Sequence, residues 1–205
     1  MYTNIASVMA KLDSFEIYLE MNKPACVMLL ETWLKSEVPD SILGFSNYSI
    51  FRSDRNGTGG GVCILLSKHY FEQLNVSILE RDVPNIETIF LKLCNSRFSI
   101  ILGCVYRPPK TLYSDDVHLV NVLSSLEDDN SALVVAGDFN FPRINWPIKK
   151  SSDVKNGTSL FVDFLLDSNL VQLVSKPTRF RSGQTPSTLS LVLTNDKHLI
   201  SNLTL

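Results

Sequence analysis

Two apolar runs in this chain stop abruptly at an acid, and that pattern restricts the fold more than anything else in the sequence. Ala132-Leu133-Val134-Val135-Ala136 runs into Gly137-Asp138-Phe139-Asn140, and Ala25-Cys26-Val27-Met28-Leu29-Leu30 runs into Glu31-Thr32-Trp33. Short runs of branched apolar residues bounded by polar ones read as strands buried on both faces. An acid placed where such a strand leaves the core is held rigidly at the rim of a sheet. Glu31 and Asp138 are far apart in sequence; they either converge there on one cation or stand separately as solvated turn acids.

Around these runs the pattern alternates between helix and strand periods. Ile5 to Met21 carries apolar residues near helical spacing, and Asn22-Lys23-Pro24 ends that helix. Tyr48–Phe51, Gly61–Leu66, Val76–Leu79, Thr88–Leu93 and Phe98–Tyr106 follow as strands that read together as an antiparallel meander. The Asp54-to-Gly60 stretch is one of the turns between them. Asp115–Leu126 and Leu160–Leu166 read as helices flanking the Ala132 strand, and Thr188–Leu193 as a last strand. Helices mixed with antiparallel and parallel strands predict layered α/β structure. No repeat or linker divides the chain, so residues 1–205 read as a single domain.

Composition narrows the function classes. With 205 residues, 44% of them apolar and 20% charged, the chain buries a real core. No apolar run approaches the roughly 20 residues that span a bilayer, and Met1-Tyr2-Thr3-Asn4 does not open a signal peptide, which predicts an intracellular protein, cytoplasmic or nuclear, with no membrane partner. The sequons at Asn47, Asn56, Asn75, Asn156 and Asn202 therefore carry no weight. Cys26, Cys63, Cys94 and Cys104 lie inside apolar runs without ligand spacing and read as buried reduced thiols. A net charge of −2 gives no global attraction to nucleic acid, so such binding needs a local basic face.

Glu31, Tyr106, Asp138 and Asn140 each finish or directly follow a strand. A hard cation such as Mg²⁺ takes carboxylate oxygens and water, and needs few protein ligands when a phosphate supplies others. Glu31 is the better ligand; Asp138 suits proton transfer from water, and Asn140 and Tyr106 suit donation to developing phosphoryl charge. Tyr106 also reads as a tyrosine at the core edge, and Asn4 as a helix cap. Gly59 to Gly61 suit a tight turn better than a phosphate cradle, since no helix follows. Lys176, Arg179 and Arg181 surround Phe180 in one segment, either a solvated loop or a DNA-contacting face with an aromatic wedge, which Arg52, Arg55, Arg107 and Lys110 would extend.

Five elements in order carry a family resemblance: Glu31-Thr32-Trp33-Leu34, Gly59-Gly60-Gly61-Val62, Val105-Tyr106-Arg107-Pro108-Pro109, Gly137-Asp138-Phe139-Asn140 and Pro177-Thr178-Arg179-Phe180. From about Tyr2 to Asn195 the chain resembles the endonuclease/exonuclease/phosphatase superfamily, and more narrowly the apurinic-type endonuclease domain of non-LTR, LINE-like retrotransposons. The resemblance implies a four-layer α/β sandwich, two mixed sheets face to face between helices, that cleaves DNA phosphodiesters with Mg²⁺ or Mn²⁺. In a parent element such a nick primes a reverse transcriptase. By residue, the resemblance makes Glu31 the metal ligand, Asp138 the acid that positions or activates water, Asn140 the phosphate-contacting amide, and Tyr106 and Asn4 the active-site tyrosine and asparagine.

The departures define further expectations. In Ser187-Thr188-Leu189-Ser190-Leu191-Val192 the family carries aspartate at Ser190, where it orients a catalytic histidine from a later Ser-Asp-His motif that this chain lacks; His69, His118 and His198 stand outside any such pattern. A serine hydrogen-bonds an imidazole without stabilising imidazolium as a carboxylate does. The strand that normally precedes Asn4 is also expected to be missing, leaving an open sheet edge. The chain thus reads as a copy truncated at both ends, incomplete at the N- and C-terminal strands, with impaired hydrolysis. Three functions follow: a metal-dependent DNA endonuclease, a catalytically dead remnant that still binds nucleic acid or phosphate, and a small-molecule phosphodiesterase or phosphatase.

Overall fold

The computed structural model describes residues 1–127, 130–149, 156–180, 182–183, 185–200 and 203. In chain order the elements are β1 (Tyr2–Asn4), α1 (Leu12–Asn22), β2 (Cys26–Leu30), β3 (Tyr48–Ser53), β4 (Val62–Ser67), α2 (Lys68–Phe71), β5 (Asn75–Leu79), β6 (Glu87–Cys94) and β7 (Ser99–Tyr106). α3 (Tyr113–Glu127), β8 (Ala132–Asp138), α4 (Gly157–Asp167), β9 (Val171–Gln172) and β10 (Ser190–Thr194) follow. One sheet has the order β1-β2-β4-β3 and the other β5-β6-β7-β8-β10-β9. Both are mixed: β1 runs parallel to β2 and β7 parallel to β8, the other pairs being antiparallel.

Strand β4 shows why its sequence is apolar throughout. It is central in its sheet and all six residues are buried. Cys63 and Leu65 face Phe15 and Leu19 of α1, while Val62, Ile64 and Leu66 face the second sheet. Alternate residues thus serve two separate hydrophobic layers, which a half-exposed strand never does. The middle layer joins Met28 and Leu30 of β2 to Ile89, Leu91, Leu102, Cys104, Ala136 and Val192 of the second sheet. Beyond that sheet, α3 and α4 bury Leu119, Leu123, Phe161 and Leu165 against Ile101, Val105, Leu133 and Val135. Helix, sheet, sheet and helix make the four layers.

Helix α4 starts at a reciprocal cap: the Asn156 side chain accepts from Ser159 N at 3.0 Å and Ser159 Oγ accepts from Asn156 N at 3.0 Å. Gly137 is required by close approach, because a Cβ there would lie 2.1 Å from the carbonyl oxygen of Val105 on the neighbouring strand. Gly137→Ala is expected to lose about 1–3 kcal/mol of stability, read as a lowered midpoint in urea.

Three expectations are corrected. Ile5 to Val8 are not helical: Ala6 and Ser7 have positive φ, and Ser7 N and Val8 N donate to the carbonyls of Glu31 and Thr32, so this segment is drawn onto the Glu31 loop. The strand leading into Asn4 is present as β1, paired with Met28 to Leu30. The five-strand meander is divided between sheets: β3 and β4 form a hairpin in the first, and only β5, β6 and β7 form a meander in the second. Alternation alone does not say which strands pair. Beyond Ile200 only Leu203 is described, so the expected loss of a C-terminal strand lies outside the described residues. The thiols are free as expected, but only Cys63 and Cys104 are buried; Cys26 and Cys94 are half-buried. Among the described residues no helix is long and apolar enough to cross a membrane.

Candidate active site

The two sheets meet at one rim, and register decides what they present there. Asp138 lies opposite Tyr106 on β7 and opposite Ser190 on β10, so the three form a row across adjacent strands. Tyr106, Ala136 and Val192 belong to the middle layer; with a side-chain period of two, Asp138 and Ser190 face the same way. Across the gap, Asn4 pairs with Leu30, the residue before Glu31. Asn4, Glu31, Tyr106, Asp138, Asn140 and Ser190 line one crevice of about 480 Å³, with Thr178, Arg179 and Phe180 on its wall.

The Glu31 loop is built under backbone strain. Glu31 and Trp33 both have φ of 54°. Such values are rare for residues with a Cβ and typically cost about 1–3 kcal/mol each. The strain is offset by hydrogen bonds from Thr32 N to Gly61 O at 3.3 Å and from Trp33 N to Gly60 O at 2.9 Å. Gly61 (φ 84°) permits this approach, since a Cβ there would come within 2.4 Å of Thr32 Oγ1. The glycine turn thus serves close packing and gives one donor: Gly60 N donates to Glu31 Oε2 at 2.9 Å, as Trp33 Nε1 does at 2.8 Å.

The two acids are tuned in opposite directions. Burial raises the Glu31 pKa, but hydrogen bonds from Tyr106, Gly60 N and Trp33, together with the Arg55 charge, outweigh it and hold the carboxyl below its ordinary value. Burial first, then the Glu31 charge, pushes Asp138 up to about 6, against the Asn140 N–H and the charges of Arg179 and Arg107. Burial and the hydrogen bond to Glu31 push Tyr106 well upward, so it remains a phenol. The donors are hard oxygens from Glu31 and Asp138 with the amides of Asn4 and Asn140. That set fits a cation that keeps waters and accepts phosphate oxygens; among the described residues no group of three or more His, Cys, Asp or Glu could hold a metal ion, so the protein itself supplies few of the ligands.

Asn140 (φ 52°) donates its N–H to Asp138 Oδ1 at 3.1 Å and its Nδ2 to Arg107 O at 3.1 Å. Asn4 is no helix cap; its Oδ1 accepts from Ala6 N at 3.2 Å. Arg107, expected on a DNA face, is instead 6% exposed. It donates to both oxygens of Asp116, at 2.6 and 3.0 Å, and to Asn140 O at 3.1 Å, and it lies over the Phe141 ring at 4.0 Å. Burial removes it from any phosphate backbone and makes it a strut behind Asp138. Arg52 is engaged by Asp40 and Asp54, and Arg55 by Glu87, so neither simply extends a basic face. Lys176 is exposed, Arg179 pairs through its backbone with Ser187, and Arg181 lies outside the described residues.

The periodicity hid several partners. Ser190 Oγ accepts from the Tyr2 hydroxyl at 3.1 Å, a bond between the two sheets across nearly the whole sequence. Thr178 Oγ1 accepts from Leu189 N and Ser190 N, both at 3.0 Å, and fixes that end of β10. Arg55 stands over the Tyr106 ring at 5.5 Å. No sequence signal pointed to these, since the strand holding Tyr2 was not expected. None of the three histidines lines the crevice.

Residues 99–204 match the family model described as endonuclease-reverse transcriptase. The chain belongs to that family. No curated protein matches the sequence at a significant level. Among solved structures, this member of the endonuclease-reverse transcriptase family is similar to the endonuclease domain of TRAS1, a telomere-specific non-LTR retrotransposon, at 17% identity and TM-score 0.65, over 97% of this chain and 84% of that one. It is similar to the AP endonuclease LMAP of Leishmania major (15%, TM-score 0.67, 94% and 77%). A third is the Neisseria 3′ phosphatase NExo bound to a product DNA hairpin (19%, TM-score 0.63, 94% and 84%). At identities this low, the structural overlap shows a shared fold and nothing more.

Proposed function

We propose that this endonuclease-reverse transcriptase family member is a divalent-metal-dependent DNA endonuclease. The reading is carried by one observation: two acids of opposite tuning, Glu31 ionised and Asp138 raised to about 6, line the same crevice. Glu31 would hold Mg²⁺ or Mn²⁺, with Asp138 and the Asn4 amide lining the same crevice. The cation, when bound, neutralises charge on the phosphoryl and leaving oxygens. Asp138 accepts the proton of a water whose oxygen bonds to phosphorus while the ester oxygen departs. Asn140, with one N–H of its Nδ2 given to Arg107 O, donates the other to the charge that develops on the phosphate, while the Tyr106 phenol directs its one O–H to Glu31 and holds that carboxylate in place. The DNA-bound Neisseria relative supports a polynucleotide in the crevice.

Ser190 supports a second reading. Its hydroxyl, already an acceptor for Tyr2, is neutral where the family carries aspartate, which favours slow hydrolysis or DNA binding without it. Nicking of supercoiled plasmid in Mg²⁺ and in chelator, with Glu31→Ala alongside, tests the reading. Metal-dependent nicking lost in Glu31→Ala supports an endonuclease. A folded protein that retains DNA without nicking is a binder, and hydrolysis of a small phosphodiester without nicking places the activity elsewhere in the superfamily.

Ser190→Asp separates these further. Ser190 pairs with Asp138 across the ladder, so a carboxylate there adds a like charge and is expected to raise the Asp138 midpoint by about one unit, shifting the acidic limb of the nicking profile upward. An unmoved limb would mean that Asp138 does not set it.

A further inference from the structure

Trp33 is more exposed than its environment explains. The residue is 49% exposed, on backbone with φ of 54°, although its neighbour Thr32 is fully buried. Its indole Nε1 donates to Glu31 Oε2 at 2.8 Å, which fixes the ring edge against the proposed ligand carboxylate. A hydrogen bond to Glu31 needs only a donor, and many smaller polar side chains supply one. A large ring left half in water, pinned by one edge and carried on strained backbone, is a surface prepared for a flat partner. Trp33 stands beside the crevice through its bond to Glu31, and Phe180, 71% exposed, is a second exposed ring, on the wall of that crevice.

We infer that Trp33 is a base-stacking platform, taking an unpaired base of the strand whose phosphate lies at Glu31. The inference rests on the proposed function only in that the crevice admits a polynucleotide. Because the indole Nε1 lies 2.8 Å from Glu31 Oε2, a phosphate held beside Glu31 would bring an adjoining nucleotide toward the ring. Bases in an intact duplex have no free face, so stacking on Trp33 selects single-stranded or locally unpaired substrate. Aromatic stacking tolerates any base, because every base has a π-face. Trp33 thereby links substrate recognition to the orientation of Glu31 through one side chain.

Binding measured in chelator separates this from catalysis. Two oligonucleotides of equal length are compared, one with bases and one an abasic backbone. Trp33→Ala is expected to weaken the base-bearing strand about tenfold and leave the abasic strand unchanged. Trp33→Phe, which keeps a ring but no N–H, retains the preference for bases. Equal weakening of both strands, or of neither, overturns the inference. Should Trp33→Ala fail to fold, Trp146→Phe leaves Trp33 as the sole tryptophan: quenching by the base-bearing strand alone supports stacking, and equal quenching by both strands overturns it. A protein that shows the base preference but nicks nothing refutes the endonuclease reading alone; nicking without the preference refutes stacking alone.

Discussion

Asp138→Asn is expected to lower plasmid nicking by about 10² to 10⁴-fold, the usual range for a positioned general base, while making the protein more stable. Both effects come from one cause. Burial raises the Asp138 carboxyl from its ordinary value of 3.8 to about 6, so above that pH the folded protein holds a charge its surroundings disfavour. For a carboxylate with raised pKa the sign is definite: stability is fully present below about 3.8 and is lost as pH rises through about 6. The isosteric amide carries no charge at any of these values, so at neutral pH it is expected to gain on the order of 2 kcal/mol. Only the ionised form accepts a proton from water, so wild-type nicking falls as pH drops below about 6. A cation at Glu31 favours that ionised form and lowers the midpoint. Nicking rates from pH 5 to 8, beside urea unfolding of both proteins at neutral pH, test the pair of effects together. A variant that loses nicking and stability alike would assign Asp138 to structure.

The second large effect is on stability. Arg107→Ala is expected to cost about 3–5 kcal/mol, because it leaves the Asp116 carboxylate buried without its partner. The side chains of this pair are 7% and 3% exposed, so solvent screens the loss very little. The same change releases Asn140 O and uncovers the Phe141 ring, which loosens the loop after Asp138. Replacing Arg107 with Met and Asp116 with Leu together is expected to cost much less, since neither charge is then stranded. Urea midpoints of Arg107→Met, Asp116→Leu and the double variant provide the cycle. If Arg107 instead served a DNA backbone, Arg107→Ala would leave the midpoint unchanged and reduce the salt dependence of DNA binding.

Much of the molecule was legible in one dimension. The runs ending at Glu31 and Asp138 announced buried strands because a strand flanked by two layers must be apolar at every position, as β4 also is. Ordered motifs pointed to the residues around the crevice, since chemistry at a strand end restricts the local sequence on both sides. Sequence could not show that Tyr2 bonds Ser190, because hydrogen bonds between sheets join residues with no common period. Nor could it show that Arg107 turns inward: an arginine beside two prolines looks the same whether its partner is a phosphate or Asp116.

Alternation and composition thus determined which segments become strands and helices, and where acids meet the rim, because these follow from local periods and burial. Tertiary structure decided the division of the strands between two sheets and the drawing of Ile5 to Val8 onto the Glu31 loop. It also decided the opposite tuning of Glu31 and Asp138, for a pKa depends on burial and on neighbouring charges that only the folded chain brings together.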